Sequence, residues 1–251
     1  MKVGAFKYEI NQTIKLAFPV MLSQFGHIMV GVVDTAMVGQ IGTIEQAALA
    51  LANSIHVIIL VFLLGISFGV TPLVAAADST NNYKEQSSLL KHCLIINVTA
   101  GTIFFVILYL LSPTINLLEQ DAAVVDIAIP YFNVIMLSLI PMSMYAGIKQ
   151  FAEGLSRTKV AMLISVAANG INVLLNYVLI FGKWGFPEMG IMGACWASFF
   201  ARVLMAVGLF IYIKYHKHFS ILWKDYGHKR IIWEKVKSIL SIGVPTGLQW
   251  F

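Results

Sequence analysis

Six long apolar stretches limit what this chain can fold into. They run from about Ile14 to Val38, Leu49 to Ala77, Leu89 to Leu111, Val124 to Ile148, Val160 to Phe181 and Gly190 to Ile213; a seventh opens near Ser238 and breaks off at Phe251. Roughly 20 mostly apolar residues suffice to cross the hydrocarbon layer as a helix. Inside that layer every backbone N–H and C=O must be paired within the protein, which confines continuous apolar runs of this length to helices. Composition agrees: 59% of the 251 residues are hydrophobic and 12% charged, against about 45–50% and about 25% in soluble domains. The mean hydropathy of +0.81 excludes a soluble globular domain, a disordered chain and a fibrous one. The expected fold is an all-α integral membrane protein, a six-transmembrane-helix bundle with the start of a seventh helix.

Charge sets the orientation. The net charge of +5 bears on topology rather than on nucleic acid, because basic residues stay on the cytoplasmic side of a membrane protein. With the N-terminus inside, that side collects Lys2, Lys7, Lys15, Lys84, Lys91, Lys149, Arg157 and Lys159, then Lys214, Lys217, Lys224, Lys229, Arg230, Lys235 and Lys237. The outer side keeps Lys183 with Glu45, Glu119, Asp121, Asp126 and Glu188, and Arg202 falls within the sixth span. The reading is a multi-pass protein of the plasma (inner) membrane with a cytoplasmic N-terminus. Three segments follow: a six-helix lobe over 1–213, a basic cytoplasmic inter-lobe loop over 214–237, and the opening of a second lobe over 238–251. A short internal repeat supports the division. Ala17-Phe18-Pro19 and Gly243-Val244-Pro245 align on proline, with leucine at +3 and phenylalanine at +6 in both.

Polar groups inside the spans are the candidates for function, since a charge at mid-membrane costs on the order of 2.5–3.5 kcal/mol. Asp34 is the clearest, about four residues from the outer end of span one. Span five carries Asn169, Asn172 and Asn176, whose spacings of three and four place them on one helix face. Amide oxygens and a carboxylate are hard ligands for a small cation, and the carboxylate alone can carry a proton. His27 lies seven residues before Asp34 and shares its face, as Asn53 and His56 share one in span two. Gln24 adds a polar group to span one and Ser198 to span six. His56 reads as a hydrogen-bonded interior side chain. Bends are expected at Pro19, Pro72, Pro130, Pro141 and Pro245. Cys93 and Cys195 read as buried free thiols.

Other patterns fall away. Asn97-Val98-Thr99 matches a glycosylation pattern but lies inside a span. Ser156-Arg157-Thr158-Lys159 lacks the partner motifs of S-x-x-K enzymes. His216 and His218 sit in a basic loop, and neither a nucleotide-binding G-x-x-x-x-G-K-[ST] loop nor H-E-x-x-H is present.

Four stretches in order carry a family resemblance: Leu16-Ala17-Phe18-Pro19 with Val33-Asp34-Thr35-Ala36-Met37-Val38-Gly39; Gln150-Phe151-Ala152-Glu153-Gly154-Leu155 with Arg157-Thr158-Lys159; Asn172 through Leu175-Asn176-Tyr177 to Ile180-Phe181-Gly182; and Met189-Gly190-Ile191-Met192-Gly193-Ala194. The chain resembles the N-terminal half of the multidrug and toxic compound extrusion (MATE) transporters, in their NorM-like branch. The resemblance implies a secondary antiporter, not an enzyme. It would export amphipathic or cationic drug-like compounds against Na⁺ or H⁺ by alternating access, with a C-terminal lobe of helices 7–12 as partner. No cofactor is implied beyond the coupling ion. Asp34, Asn172, Asn176 and Ser198 match ion-coupling positions, with possible Na⁺ at the first three; Gln24, His27 and Asn169 are the expected substrate contacts. The chain departs from the family at Asn176 (aspartate in some members), Ser198 (threonine expected) and His27 (glutamine in many). A lipid-linked-precursor flippase of the same architecture is the alternative, which a groove lined with basic residues would favour. A membrane-embedded prenyltransferase would need an acidic cluster for Mg²⁺, and no D-x-x-x-D or E-E pair occurs.

Overall fold

The computed structural model describes residues 3–217, 219–224 and 231–249. Lys2, His218, Lys229, Arg230, Trp250 and Phe251 lie outside the described residues. The chain is helical: α1 (Val3–Val38), α2 (Thr43–Phe68), α3 (Val70–Ser79), α4 (Tyr83–Leu111) with a 3₁₀ extension to Leu118, α5 (Ala122–Leu137), α6 (Leu139–Gly154), α7 (Thr158–Ile180), α8 (Ile191–Tyr215), the short α9 (Ser220–Lys224) and α10 (Trp233–Leu248). Among the described residues, six spans are long and apolar enough to cross a membrane: Thr13–Val38, Thr43–Ser79, Tyr83–Leu118, Ala122–Gly154, Thr158–Ile180 and Ile191–Tyr215. The helices run past the apolar stretches, and two of the polar starts are capped by side chains. Asn82 accepts from the Glu85 N–H at 3.0 Å and Asp121 from the Ala123 N–H at 2.9 Å, satisfying donors that a helix start leaves open.

The overrun corrects one assignment. Lys149 belongs to α6 and is 7% exposed, 3.8 Å from Glu153 one turn on. It is a buried cation rather than a residue of a polar loop. The prolines also divide. α2 ends at Phe68 and α5 at Leu137, each four residues before a proline, Pro72 and Pro141. The proline ring collides with that carbonyl and offers it no N–H, so spans two and four are each two helices. Pro19, Pro130 and Pro245 instead lie inside uninterrupted helices.

The outer surface is apolar. Phe18, Met21, Phe25, Ile28, Leu110 and Leu163 are all exposed, an arrangement that lipid accepts and water penalises. With apolar surroundings, helices associate through close packing and interior polar groups. α7 lies between α1 and α8, α4 packs on α6, and α2 packs on α5 and α10. The α2–α10 contact brings backbones together at two glycines, Gly65 and Gly243. A Cβ on Gly65 would sit 2.1 Å from the Gly247 Cα, and one on Gly243 would sit 2.6 Å from the Ile66 carbonyl oxygen.

α9 and the start of α10 are docked on α4. Ser87 Oγ donates to the Leu222 carbonyl at 2.7 Å, and Lys235 Nζ meets Glu85 Oε2 at 2.6 Å. His92 Nδ1 lies 2.7 Å from the Ser88 carbonyl and can only donate there, so Nε2 accepts from the Ile232 N–H at 2.8 Å. His92→Phe removes that acceptor, a loss of about 1 kcal/mol. Trypsin is expected to cut within 214–237 roughly fivefold faster in the variant; an unchanged cleavage rate would show that His92 does not hold the segment.

Candidate functional site

The site starts from the amide stripe of α7. Asn172 and Asn176 are fully buried, and α1 and α8 cover them from either side. Gly193 permits the approach of α8: a Cβ there would lie 2.6 Å from the Leu179 carbonyl group. That approach brings Ser198 against α7, while Asp34 arrives from α1 near the end of its helix.

Asp34 is 7% exposed and receives two donors from two other spans. Asn176 Nδ2 donates to Oδ1 at 2.5 Å, and Ser198 Oγ donates to Oδ2 at 2.9 Å. Ser198 Oγ in turn accepts from Asn172 Nδ2 at 3.2 Å, and Asn172 Oδ1 faces Asn176 Nδ2 at 3.4 Å. Hydrogen bonds to a charged group are worth about 1.5–3 kcal/mol each, so the two donors offset part of the cost of burying the carboxylate. Among the described residues no cation lies within 4.0 Å of Asp34. Asn176 Oδ1 is buried without a hydrogen-bond partner. A carboxylate beside an orphaned carbonyl oxygen is a donor set suited to a small hard cation.

This network opens on a cavity of about 160 Å³, lined by Asp34, His27, Asn169, Asn172, Ser198 and Arg202 among others. Asn169 Nδ2 is buried and unpartnered. Gln24 is not part of this lining. It lines a neighbouring pocket of about 20 Å³ with Ser23, Tyr145, Lys149 and Gln150, and His27 borders both spaces. The structure therefore gathers the four expected ion-site residues into one network and divides the expected substrate contacts between two spaces.

Sequence reasoning passed over Arg202 as a site residue. It follows Ser198 by four residues, a spacing that puts both on one face of α8. Its Nη1 donates to His56 Nε2 at 2.8 Å and to Ser138 Oγ. His56 is thus hydrogen-bonded in the interior, as expected. Tyr131 and Asn53 line the same cavity.

Six apolar spans, five of which close on an intramembrane carboxylate, an amide pair and a guanidinium, define a multi-pass helical membrane protein with a polar interior cavity. The MatE family model matches residues 19–178. The chain belongs to the MatE family. It is 28% identical over 254 residues to the "probable multidrug resistance protein NorM" of Bacillus anthracis, with 100% of this chain and 55% of the relative aligned. To the protein of the same name from Thermotoga maritima it is 29% identical, over 96% of this chain and 52% of the relative. The chain thus spans about half the length of the curated relatives it matches. Among solved structures, an outward-facing multidrug resistance MATE family transporter superimposes with a TM-score of 0.81 at 20% identity, covering 94% of this chain and 52% of that one. The likeness places the fold among MATE transporters.

Proposed function

We propose that this chain supplies the N-terminal lobe of a multidrug efflux antiporter, set in the cell membrane with its N-terminus in the cytoplasm. The antiporter exports amphipathic or cationic compounds by alternating access, in exchange for Na⁺ or H⁺. The observation that carries the reading is the buried Asp34, unpaired by any described cation and held by one donor from α7 and one from α8. Neutralising it changes both bonds at once, so an ion that binds there biases how α1 sits against its neighbours. A ligand shifts such an equilibrium only through different affinities for the two states. Na⁺ would find oxygen ligands in the Asp34 carboxylate, Asn172 Oδ1 and the orphaned Asn176 Oδ1. A proton would bind the carboxylate alone. The orphaned oxygen favours Na⁺.

The test is dye efflux from proteoliposomes carrying the protein expressed from its native reading frame. A Na⁺ gradient at equal pH is expected to drive efflux. Drive by a pH gradient alone would remove Na⁺ and keep the antiport reading. Efflux that neither gradient drives would overturn antiport.

A further inference from the structure

We propose that Arg202 forms a second recognition subsite in the same cavity, one that takes a carboxylate or similar oxyanion on the transported compound. The inference rests on the transporter reading above and deepens it. The family resemblance implies cationic compounds, and this cavity carries a feature those compounds do not use.

The guanidinium is half satisfied. Both of its protein partners among the described residues, His56 Nε2 and Ser138 Oγ, bind the single nitrogen Nη1. Arginine has no acceptor, so His56 Nε2 must be accepting and the imidazole is neutral. Neither partner supplies negative charge. Asp34 lines the same cavity but is not within 4.0 Å of the guanidinium. Among the described residues the Nε–Nη2 edge meets no acceptor, and the charge has no counter-ion within 4.0 Å. Buried charges in proteins are normally paired.

The free edge has the geometry that matches a carboxylate, two parallel N–H groups in one plane. Nη1, tied to α2 and to Ser138 at the α5–α6 break, fixes the orientation of that plane, so little side-chain freedom is lost on binding. The cavity of about 160 Å³ has room for a carboxyl group and the carbons that bear it. Val57, Leu60, Ile135 and Met205 supply apolar lining for the rest of such a compound. Asp34 repels a second anionic group, so a single oxyanion on an amphipathic body fits both charges.

The probes are a rhodamine with a free carboxylate and its methyl ester, which differ only at the group in question. Binding to the purified protein is read by fluorescence anisotropy for the wild type, Arg202→Gln and Arg202→Lys. Arg202→Gln is expected to weaken the acid roughly tenfold and leave the ester within about twofold. Arg202→Lys, which keeps the charge and loses the fork, is expected to weaken the acid about threefold and spare the ester. The lysine variant decides the matter if the glutamine variant does not fold. Equal losses for both dyes, or an acid affinity unmoved in either variant, would overturn the subsite. So would a wild type that binds the ester and not the acid, a result that leaves the transporter reading standing. A wild type that binds neither dye would overturn the transporter reading of this cavity and the subsite with it.

Discussion

Asp34→Asn is expected to slow gradient-driven efflux by roughly 100-fold or more, equivalent to about 2.7 kcal/mol of lost coupling, while the protein still folds and binds dye. The argument is chemical. Asparagine keeps the shape and an oxygen to accept from Ser198, so packing of α1 on α7 survives. It can neither take up a proton nor attract a cation, and Asn176 Nδ2 then faces a neutral amide instead of a carboxylate. Asp34→Glu keeps the charge but lengthens the side chain, which shifts the carboxylate away from Asn176 and Ser198, and is expected to retain partial activity. The measurement is efflux from proteoliposomes against dye affinity on the same preparation. Unchanged efflux in Asp34→Asn would remove the carboxylate from the coupling mechanism. Equal loss of efflux and dye affinity would place it in substrate binding instead.

Gly65→Val is expected to be the most damaging single packing change. Its Cβ would lie 2.1 Å from the Gly247 Cα and 2.4 Å from the Gly247 N, both backbone atoms. Ordinary Cβ contacts are 3.4–4 Å, so α2 and α10 would have to part by more than about 1 Å, in the range where overpacking costs about 1–3 kcal/mol. A fall of roughly 5 °C in apparent melting temperature is expected. Gly65→Ala and Gly247→Ala, measured singly and together, should be strongly non-additive, since the first substitution already separates the helices that the second would force apart. Additive effects would show that α10 does not rest on α2 at this point.

The spans were legible because apolar length alone forces helix in a bilayer. The stripe of Asn169, Asn172 and Asn176 was legible because period 3.6 is visible within one helix. Which groups that stripe meets was not. Asp34 and Asn176 are 142 positions apart, and no local pattern joins them; the family resemblance brought them into one site. Arg202 was visible as an in-span charge, yet its partners come from α2 and the α5–α6 junction, which periodicity on α8 does not report. Lys149 was misplaced because a lysine at the edge of an apolar run looks like an interface residue, whereas α6 continues to Gly154 and buries it. Among Pro19, Pro72, Pro130, Pro141 and Pro245, only Pro72 and Pro141 terminate the preceding helix. Local sequence marks the missing N–H but not whether neighbours tolerate an unbroken turn around it.

The break at Leu137 has a consequence for how this protein can change by descent. Ser138, the junction residue, accepts from Arg202 and donates to the Ile135 carbonyl at 2.5 Å. Pro141, three residues on, is what ends α5. The guanidinium thus leans on a feature of backbone geometry that a proline in another helix creates. Loss of Ser138 or His56 alone takes one of two acceptors from a buried cation, while loss of Arg202 first leaves two neutral groups that tolerate the vacancy. Lineages that abandon the positive charge should therefore lose position 202 before positions 56 and 138. Lineages that keep it should hold all three, with Pro141, as an inherited block.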